Sequence, residues 1–208
     1  ARALAYDPQI LLMDEPLGAL DRSLRLQMAE EIRRIHRELR PTIIYVTHDQ
    51  QEALALSDRV AIMGSGRIVG FDKPNVLYER PNCAFVARFF ANANLIPGEV
   101  VERLGADRAI IECAGSRCRV AVQGEKREVF VAVRPRSLRR GEGVDGLTIR
   151  GRVLETLLLG DDREITLDVP SIGRVTAMMD ARESIDLDHG QEVTLFVPQD
   201  ELTVVPRD

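Results

Sequence analysis

The stretch Ile10-Leu11-Leu12-Met13-Asp14-Glu15-Pro16 joins four apolar residues directly to two carboxylates. An uninterrupted apolar run of this length is typical of a strand that is buried on both faces, as in a parallel sheet. Pro16 lacks the N–H that a central strand needs, so we expect the strand to end at the acidic residues. Catalytic groups in such folds collect where strands end. For this stretch alone, a structural strand followed by an acidic turn is an equally good interpretation.

A long helix is predicted directly after this strand. Asp21 suits an N-cap, because its short carboxylate can accept a hydrogen bond from the first helical turn. From Leu20 to Leu39, apolar residues recur at intervals of four, four, four, three and four, and charged residues fill the other faces. This spacing predicts an amphipathic helix of roughly five turns that ends near Arg40-Pro41.

Shorter elements follow the helix. A second buried strand is predicted at 43–46, and it runs into the polar sequence Thr47-His48-Asp49. A short helix is predicted at 50–56 and a hairpin at 60–70. The order strand, helix, strand, helix, strand predicts an α/β fold, in which a parallel sheet has the hairpin at its edge.

The second half of the chain is predicted to be mainly β. Short helices are expected between residues 74 and 93, and the sequence at 92–98 is typical of a linker that ends in a turn. Beyond it, Gly and Pro separate short strand-like segments, which predicts a small all-β barrel or sandwich with a hairpin turn at Asp161-Asp162. The predicted strands are 99–103, 109–113, 117–122, 129–133, 149–158, 164–169, 174–178, 192–197 and 202–205. We therefore expect two domains, 1–94 and 95–208.

The composition excludes several classes of protein. Hydrophobic residues make up 45% of the 208 residues and charged residues 29%, which argues against overall disorder. A net charge of −5, few aromatic residues and no Trp argue against nucleic acid as the main partner. No apolar run approaches the ~18 residues that span a bilayer, and no signal peptide is recognisable. We therefore expect a protein that is cytoplasmic or lies on the cytoplasmic side of a larger structure such as a membrane.

The three cysteines point to a reducing compartment. Cys83, Cys113 and Cys118 are odd in number and have no C-x-x-C spacing, which favours free thiols over disulfides or zinc. A disulfide between Cys113 and Cys118 is the less favoured alternative.

Acidic residues and a histidine follow the two predicted strands. Because successive strands of a parallel sheet end at the same rim, Asp14, Glu15 and His48 are expected to face one cleft. Phosphoryl transfer needs groups that hold Mg²⁺, orient water and sense the γ-phosphate. Asp14 suits a water-mediated Mg²⁺ contact, Glu15 a water-orienting base and His48 a hydrogen bond to the γ-phosphate. The alternatives are that Asp21 is only a helix cap and that His48 is a structural histidine.

These segments together resemble the ATPases of ABC transporters. Leu11-Leu12-Met13-Asp14-Glu15-Pro16 resembles their Walker B motif, and Gly18-Ala19-Leu20-Asp21 is similar to the D-loop. The sequence 45–53 resembles the switch-histidine region, and Ala1-Arg2-Ala3-Leu4-Ala5 the helix that follows the signature motif. The resemblance implies ATP and Mg²⁺ as cofactors. It also implies that Glu15 and His48 are catalytic, that Asp14 and Asp21 bind the cofactor, and that Asp14 contacts the metal through water.

The second half extends this resemblance to importer ATPases. The sequences 76–81 and 85–89 resemble the bridge of the maltose, polyamine, iron and molybdate group, with a slight preference for polyamine and iron. Val133-Arg134-Pro135 resembles a signature of their C-terminal TOBE or OB-like domain, although Arg136 stands where an acidic residue is usual. The implied fold is the distal α/β half of a P-loop NTPase followed by an all-β TOBE barrel.

A phosphate-binding loop is absent from this sequence. No G-x-x-x-x-G-K-[ST] pattern occurs, and the signature and Gln-loop segments of the family are also missing. The chain begins without Met, in residues typical of the end of a helix. We therefore expect a fragment that binds nucleotide weakly or not at all by itself.

The resemblance implies an ATP-hydrolysing subunit that powers uptake by an ABC importer. The implied partners are a second ATPase subunit in a homodimer, transmembrane permease subunits and, indirectly, an extracytoplasmic binding protein, without nucleic acid. The implied location is peripheral, on the cytoplasmic face of the inner or plasma membrane. ABC proteins of DNA repair or translation fit less well, because they generally lack such a barrel.

An alternative is a regulatory or ligand-binding barrel without ATPase activity. Arg134, Arg136, Arg139 and Arg140 form a local basic run that suits an oxyanion ligand. A solvated charged face is the more common explanation of such a run.

Overall fold

The computed structural model describes residues 8–122, 124–184 and 186–207, and the side chain of Arg22 is not described. The predicted helical segment Ala1-Arg2-Ala3-Leu4-Ala5 lies outside these residues. The helices are α1 (Arg22–Leu39), α2 (Gln50–Leu56), α3 (Pro74–Glu79) and α4 (Ala84–Ala91). The strands are β1 (Ile10–Asp14), β2 (Thr42–Val46), β3 (Val60–Gly64), β4 (Arg67–Asp72), β5 (Asn94–Arg103), β6 (Arg108–Cys113), β7 (Ser116–Ala121), β8 (Glu128–Val133), β9 (Arg139–Arg140), β10 (Gly146–Leu159), β11 (Asp162–Val169), β12 (Gly173–Asp180), β13 (Glu192–Pro198) and β14 (Thr203–Pro206).

The backbone divides into two compact units. Unit 1 comprises residues 8–61 and 71–76, and unit 2 comprises 62–70 and 77–207. The domain limits predicted from the sequence, 1–94 and 95–208, stay a prediction. Among the described residues, no helix combines the length and the apolar character that crossing a membrane requires.

Unit 1 is built around a strand–helix–strand motif. β1 and β2 pair in parallel, from Ile10 opposite Thr42 to Asp14 opposite Val46, and α1 connects them. The prediction of the long helix is confirmed: the Asp21 carboxylate caps α1, and the helix ends at a left-handed C-cap residue. The short helix at 50–56 is confirmed with the same bounds.

The prediction that β1 and β2 are buried on both faces is wrong. Leu11 is buried, but Ile10 and Leu12 are 60% and 72% exposed, and Ile44 and Val46 are exposed as well. These side chains alternate along a sheet of only two strands, so that within the described part of unit 1 one face has no cover. The apolar run therefore predicted the strand correctly, but it did not predict that one face of the strand is exposed.

The hairpin at 60–70 is confirmed as β3 and β4, but it does not form the edge of the parallel sheet. β3 and β4 make a separate two-stranded sheet, joined by a tight turn in which Ser65 and Gly66 have positive φ. The turn brings the two strands together locally, and within the described residues neither strand pairs with β1 or β2.

Unit 2 contains two antiparallel five-stranded sheets around one apolar core. Their strand orders are β14-β8-β5-β6-β7 and β12-β11-β10-β13-β9. Alternate residues point into the core, among them the fully buried Ile111, Val131, Leu167 and Leu195. All nine predicted strands are present, and in the described part of unit 2 only the two-residue β9 was not predicted. The hairpin turn falls at Gly160-Asp161, one residue earlier than predicted, because Asp162 already pairs with Leu159.

The prediction of a linker at 92–98 is wrong, because β5 begins at Asn94. Its first residues pair with β8, and Ile96 is fully buried between the sheets. Pro97 and Gly98 suggested a turn. However, pairing with β6 starts only at Gly98, so Pro97 lies where β5 has a single neighbour, a position that tolerates the missing N–H.

The side chain of Asn94 links the two sheets of unit 2. Its Nδ2 donates to the carbonyls of Val133 (3.2 Å) and Thr176 (2.8 Å), and its Oδ1 accepts the Thr176 N–H at 2.8 Å. Thr176 lies on β12, an edge strand, so the amide of Asn94 makes the two hydrogen bonds that a neighbouring strand could otherwise make. The beginning of β5 therefore connects the two sheets of unit 2.

Candidate functional site

Glu15 and His48 meet at the ends of the two parallel strands. The Glu15 N–H donates to the carbonyl of Val46 at 2.9 Å, which extends the ladder one residue beyond β1. His48 lies between the end of β2 and the start of α2. Its Nδ1 is 3.0 Å from Oε1 of Glu15, and both side chains are exposed, His48 to 74% and Glu15 to 53%. The expectation that these two residues face the same rim agrees with this contact.

Glu15 has an unusual backbone conformation. Its φ of 43° lies in the left-handed region, which costs a residue with a side chain roughly 1–2 kcal/mol. The chain turns back here, and the N–H of Gly18 donates to the Glu15 carbonyl at 3.2 Å. Such conformations concentrate at functional sites, where the surrounding structure holds them. The conformation aims the carboxylate out of the strand direction and toward His48.

Asp14 and Asp21 lie close to this pair in sequence but do not bond to it. Asp14 is the exposed last residue of β1. Asp21 accepts the Leu24 N–H at 2.9 Å through Oδ1, so the helix-cap alternative for Asp21 is observed. In the hydrogen bonds of the described residues, neither carboxylate contacts Glu15 or His48. Cofactor-binding roles for Asp14 and Asp21 stay predictions.

Arg25 joins two loops beside the pair, and its role was not predicted from the sequence. Its Nη1 donates to Oδ2 of Asp49 at 2.9 Å, and its Nη2 donates to the carbonyl of Leu20 at 3.2 Å. Its Nε is 3.7 Å from Oε1 of Glu52, within ion-pair range but beyond hydrogen-bond range, so the buried Nε–H has no acceptor. Arg25 lies one turn after Asp21, a position that could have suggested contact with the same loop.

Glu52 is the buried acceptor at the centre of these contacts. Its side chain is only 6% exposed, and Oε2 accepts the hydroxyls of Tyr45 at 2.8 Å and Thr47 at 2.7 Å. Burial, reinforced by this hydrogen bond to Glu52, raises the pKa of Tyr45. Asp49 caps α2 by accepting two N–H groups, from Gln51 and Glu52. The spacing Asp49-x-x-Glu52 resembles a capping box and was the available sequence signal.

The residues present fit Mg²⁺ only when it arrives with phosphates. Mg²⁺ in nucleotide sites takes one or two carboxylates, and phosphate oxygens and waters complete its shell. The exposed carboxylate of Asp14 is suitable for this role. No three His, Cys, Asp or Glu side chains of the described chain gather into a site for a metal alone. The sequence also has no phosphate-binding loop of the G-x-x-x-x-G-K-[ST] type.

The basic run of unit 2 is engaged in contacts within the protein. Arg136 pairs with Asp162, Arg139 with Glu201, and Arg140 with Asp186 at 2.6 Å. Arg134 lies over the ring of Tyr78, with its guanidinium carbon 5.5 Å from the ring centre. Three of the four positive charges therefore have carboxylate partners. These contacts favour the charged-surface interpretation over an oxyanion site.

The cysteines are free thiols in the structure. Cys113 and Cys118 are buried on the neighbouring strands β6 and β7. Burial raises the pKa of Cys113 to about 12, with a smaller contribution from Cys118. Cys83 is half-buried, at the N-cap position of α4.

Comparison with known proteins finds one matching domain model and several relatives. Residues 131–205, from β8 to β14, match the TOBE domain. The spermidine/putrescine import ATP-binding protein PotA of Rubrobacter xylanophilus is 42% identical over an alignment of 204 residues that covers 94% of this chain and 53% of that protein. The Fe(3+) ions import ATP-binding protein FbpC of Agrobacterium fabrum is 40% identical over 81% of this chain and 47% of that protein. The chain is homologous to the C-terminal part of ABC importer ATP-binding subunits.

The chain spans about half the length of the curated relatives it matches. PotA of Thermobifida fusca, at 37% identity, is covered to 56% by nearly the whole chain. Among solved structures, the cytoplasmic molybdate-binding protein ModG aligns with 54% of the chain, at 17% identity and a TM-score of 0.46. That similarity is too low to support a conclusion about a ligand.

Proposed function

We propose that this chain supplies the hydrolytic pair of an ABC importer ATP-binding subunit, and that the complete subunit hydrolyses ATP to drive uptake across a membrane. The observation that carries the proposal is the 3.0 Å contact between Glu15 and His48 at the ends of two adjacent parallel strands. It is supported by the homology to ABC importer ATP-binding subunits. The alternative of a barrel without ATPase activity leaves this pair without a role.

In the proposed mechanism, Glu15 holds the attacking water and accepts its proton. His48 contacts a γ-phosphate oxygen and reports its presence to Glu15. A neutral imidazole has one N–H. When this N–H donates to the phosphate, it no longer donates to the Glu15 carboxylate, which is then free to hold water. A doubly protonated imidazole has two N–H groups and can donate to the phosphate and to Glu15 at the same time. Bound ATP with Mg²⁺ supplies the phosphoryl group and neutralises its charge. The exposure of both side chains leaves room for these ligands.

Asp14 and Asp21 have supporting roles in this proposal. Asp14 would hold Mg²⁺ through a water molecule, since its carboxylate is exposed at the end of β1. Asp21 fixes the start of α1 as its cap and, in a homodimer of ATPase subunits, lies at the interface and communicates across it. The first of these roles depends on bound nucleotide and the second on dimerisation.

The relatives suggest the transported substrate and the partners. Their names specify spermidine/putrescine and Fe(3+) ions, so we propose a polyamine or ferric iron importer. The partners are transmembrane permease subunits and, indirectly, an extracytoplasmic binding protein, with the subunit peripheral on the cytoplasmic face of the membrane. The TOBE domain regulates the subunit or mediates its dimerisation.

Two experiments test this proposal. Calorimetry of the 208-residue chain should detect no micromolar binding of Mg-ATP, because the phosphate-binding loop is absent. The chain joined to the preceding segment of the Rubrobacter xylanophilus relative should hydrolyse ATP. His48→Ala should abolish this hydrolysis, whereas His36→Ala, on α1, should not. Hydrolysis that survives His48→Ala would contradict the proposal.

A further inference from the structure

Two loops flank the candidate site, and one side chain contacts both. Residues 17–21 lead from Glu15 into α1, and residues 47–49 carry His48 into α2. Arg25 donates to the carbonyl of Leu20 in the first loop and to the carboxylate of Asp49 in the second. Asp49 directly follows His48. A single guanidinium therefore connects the entrance of α1 to the residue next to the histidine.

Arginine is suited to this bridge by its shape. Its planar fork presents five N–H donors in fixed directions, so two acceptors bound to one guanidinium are held at a fixed separation. Lysine has one ammonium on a flexible stem and lacks this rigidity. The Arg25 side chain is one-third exposed, and its acceptor Asp49 is about one-quarter exposed, so solvent screens the bridge only in part.

The second loop is firmly anchored on the far side of the bridge. Asp49 uses one carboxylate oxygen to cap α2 and the other to accept from Arg25. Its N–H donates to the Thr47 hydroxyl at 2.9 Å, and that hydroxyl donates to the buried Glu52. A force on Asp49 is therefore transmitted to the short segment that holds His48, rather than absorbed by a flexible loop.

The bridge also has an unused donor. The buried Nε–H of Arg25 lacks an acceptor, while Oε1 of Glu52 is 3.7 Å away. An approach of about 0.7 Å would bring the two atoms to an ordinary hydrogen-bond length. Buried donors are rarely left unpaired, so a closer arrangement of α1 and α2 gains a hydrogen bond that the present arrangement lacks.

We propose that Arg25 is a positioning residue, which couples the loop at 17–21 to His48 through Asp49. Movement of the first loop pulls Asp49 and changes the distance between His48 and Glu15. The coupling acts on the imidazole whether or not nucleotide is bound, and its importance for ATP hydrolysis rests on the proposed function. Arg25 itself touches neither Glu15 nor His48 in the hydrogen bonds of the described residues.

The test uses the 208-residue chain with its histidines labelled with ¹⁵N. Imidazole nitrogen shifts report whether Nδ1 is hydrogen-bonded, and Glu15→Gln supplies the reference for a weakened contact. Arg25→Gln should move the His48 signals toward that reference, and Asp49→Asn should do the same while keeping the α2 cap through its remaining oxygen. Arg25→Lys should give an intermediate shift, because it can reach Asp49 without bridging to Leu20.

A matched control and a double variant make the test specific. Arg34→Gln, on the same helix and also paired with carboxylates, should leave the His48 signals unchanged. The double variant Arg25→Gln with Asp49→Asn should shift the signals no further than either single variant, as expected for one pathway. Asp49→Asn should also move the backbone amide signals of residues 18–21.

The proposal is overturned if Arg25→Gln leaves the His48 signals at their wild-type positions, or if the two single effects add. If Arg25→Gln fails to fold, Asp49→Asn decides by the same criterion. In the joined polypeptide, Arg25→Gln should lower kcat and leave KM unchanged. Absence of ATP hydrolysis by the unsubstituted polypeptide would refute the proposed function, while the imidazole measurement would still decide the coupling.

Discussion

Replacing Asn94 by Ala should destabilise unit 2 without touching the candidate site. The Asn94 amide makes three hydrogen bonds, two with the backbone of Thr176 and one with the carbonyl of Val133. Alanine removes all three and leaves the N–H and C=O of an edge strand to find other partners. The change therefore tests whether the beginning of β5 is the joint between the sheets.

The magnitude follows from the hydrogen bonds. A typical intramolecular hydrogen bond contributes about 1 kcal/mol net, so the loss should be about 2–3 kcal/mol, with the lower value favoured by the partial exposure of Asn94. For a unit of this size, each kcal/mol lowers Tm by about 3 °C. We therefore expect Tm to fall by about 6–9 °C.

This change can be measured by thermal and urea unfolding of the chain, with the circular dichroism signal of β structure as the readout. Asn75→Ala is the control, because Asn75 is exposed on α3 and alanine is a good helix former. The control should change stability by less than about 0.5 kcal/mol. If Asn94→Ala matches the control, the amide of Asn94 does not join the sheets, and the account of β5 is wrong.

Three further predictions concern burial and charge. Alkylation at neutral pH should modify Cys83 first, because Cys113 and Cys118 are buried and react only as fast as the two sheets of unit 2 open. Equal rates for all three cysteines would contradict this burial. Gly151→Ala should lower the urea midpoint by more than Asn94→Ala does, because a Cβ there would lie 2.8 Å from the carbonyl of Asp168; an unchanged midpoint would refute this close approach. The raised pKa of Tyr45 means that its contribution to stability is present below its ordinary value of 10.0 and is lost as the pH rises above it. Tyr45→Phe should therefore lower the free energy of unfolding of unit 1 by about 1–2 kcal/mol at neutral pH, because a hydrogen bond to Glu52 is lost. In urea titrations above about pH 10, the free energy of unfolding should fall less steeply with pH in the variant than in the unsubstituted chain. An equally steep fall would argue against this cause.

Local signals in the sequence predicted the elements well. The N-cap at Asp21, the spacing of apolar residues in α1 and the Gly and Pro between strands all act over a few residues, and the structure shows the corresponding elements. The contact between Glu15 and His48 was also predictable, because it follows from the rule that parallel strands end at one rim.

What could not be predicted depends on distant neighbours. An apolar run does not reveal whether its outer face is covered, so the exposure of Leu12 was missed. Turn-forming residues suggested a linker at Pro97, because pairing with a strand that lies more than thirty residues later leaves no local signal. The bridge from Arg25 to Asp49 joins residues 24 positions apart and appears only once α1 and α2 are packed.

The most direct test of the account is the turnover of Glu15→Gln in the joined polypeptide. The variant should bind ATP as the unsubstituted polypeptide does, while hydrolysis falls by about 10²–10⁴-fold, the usual contribution of a general base. Glu30→Gln, an exposed glutamate on α1, should leave hydrolysis unchanged. Hydrolysis by Glu15→Gln at the rate of the control would contradict the central claim that Glu15 orients the attacking water.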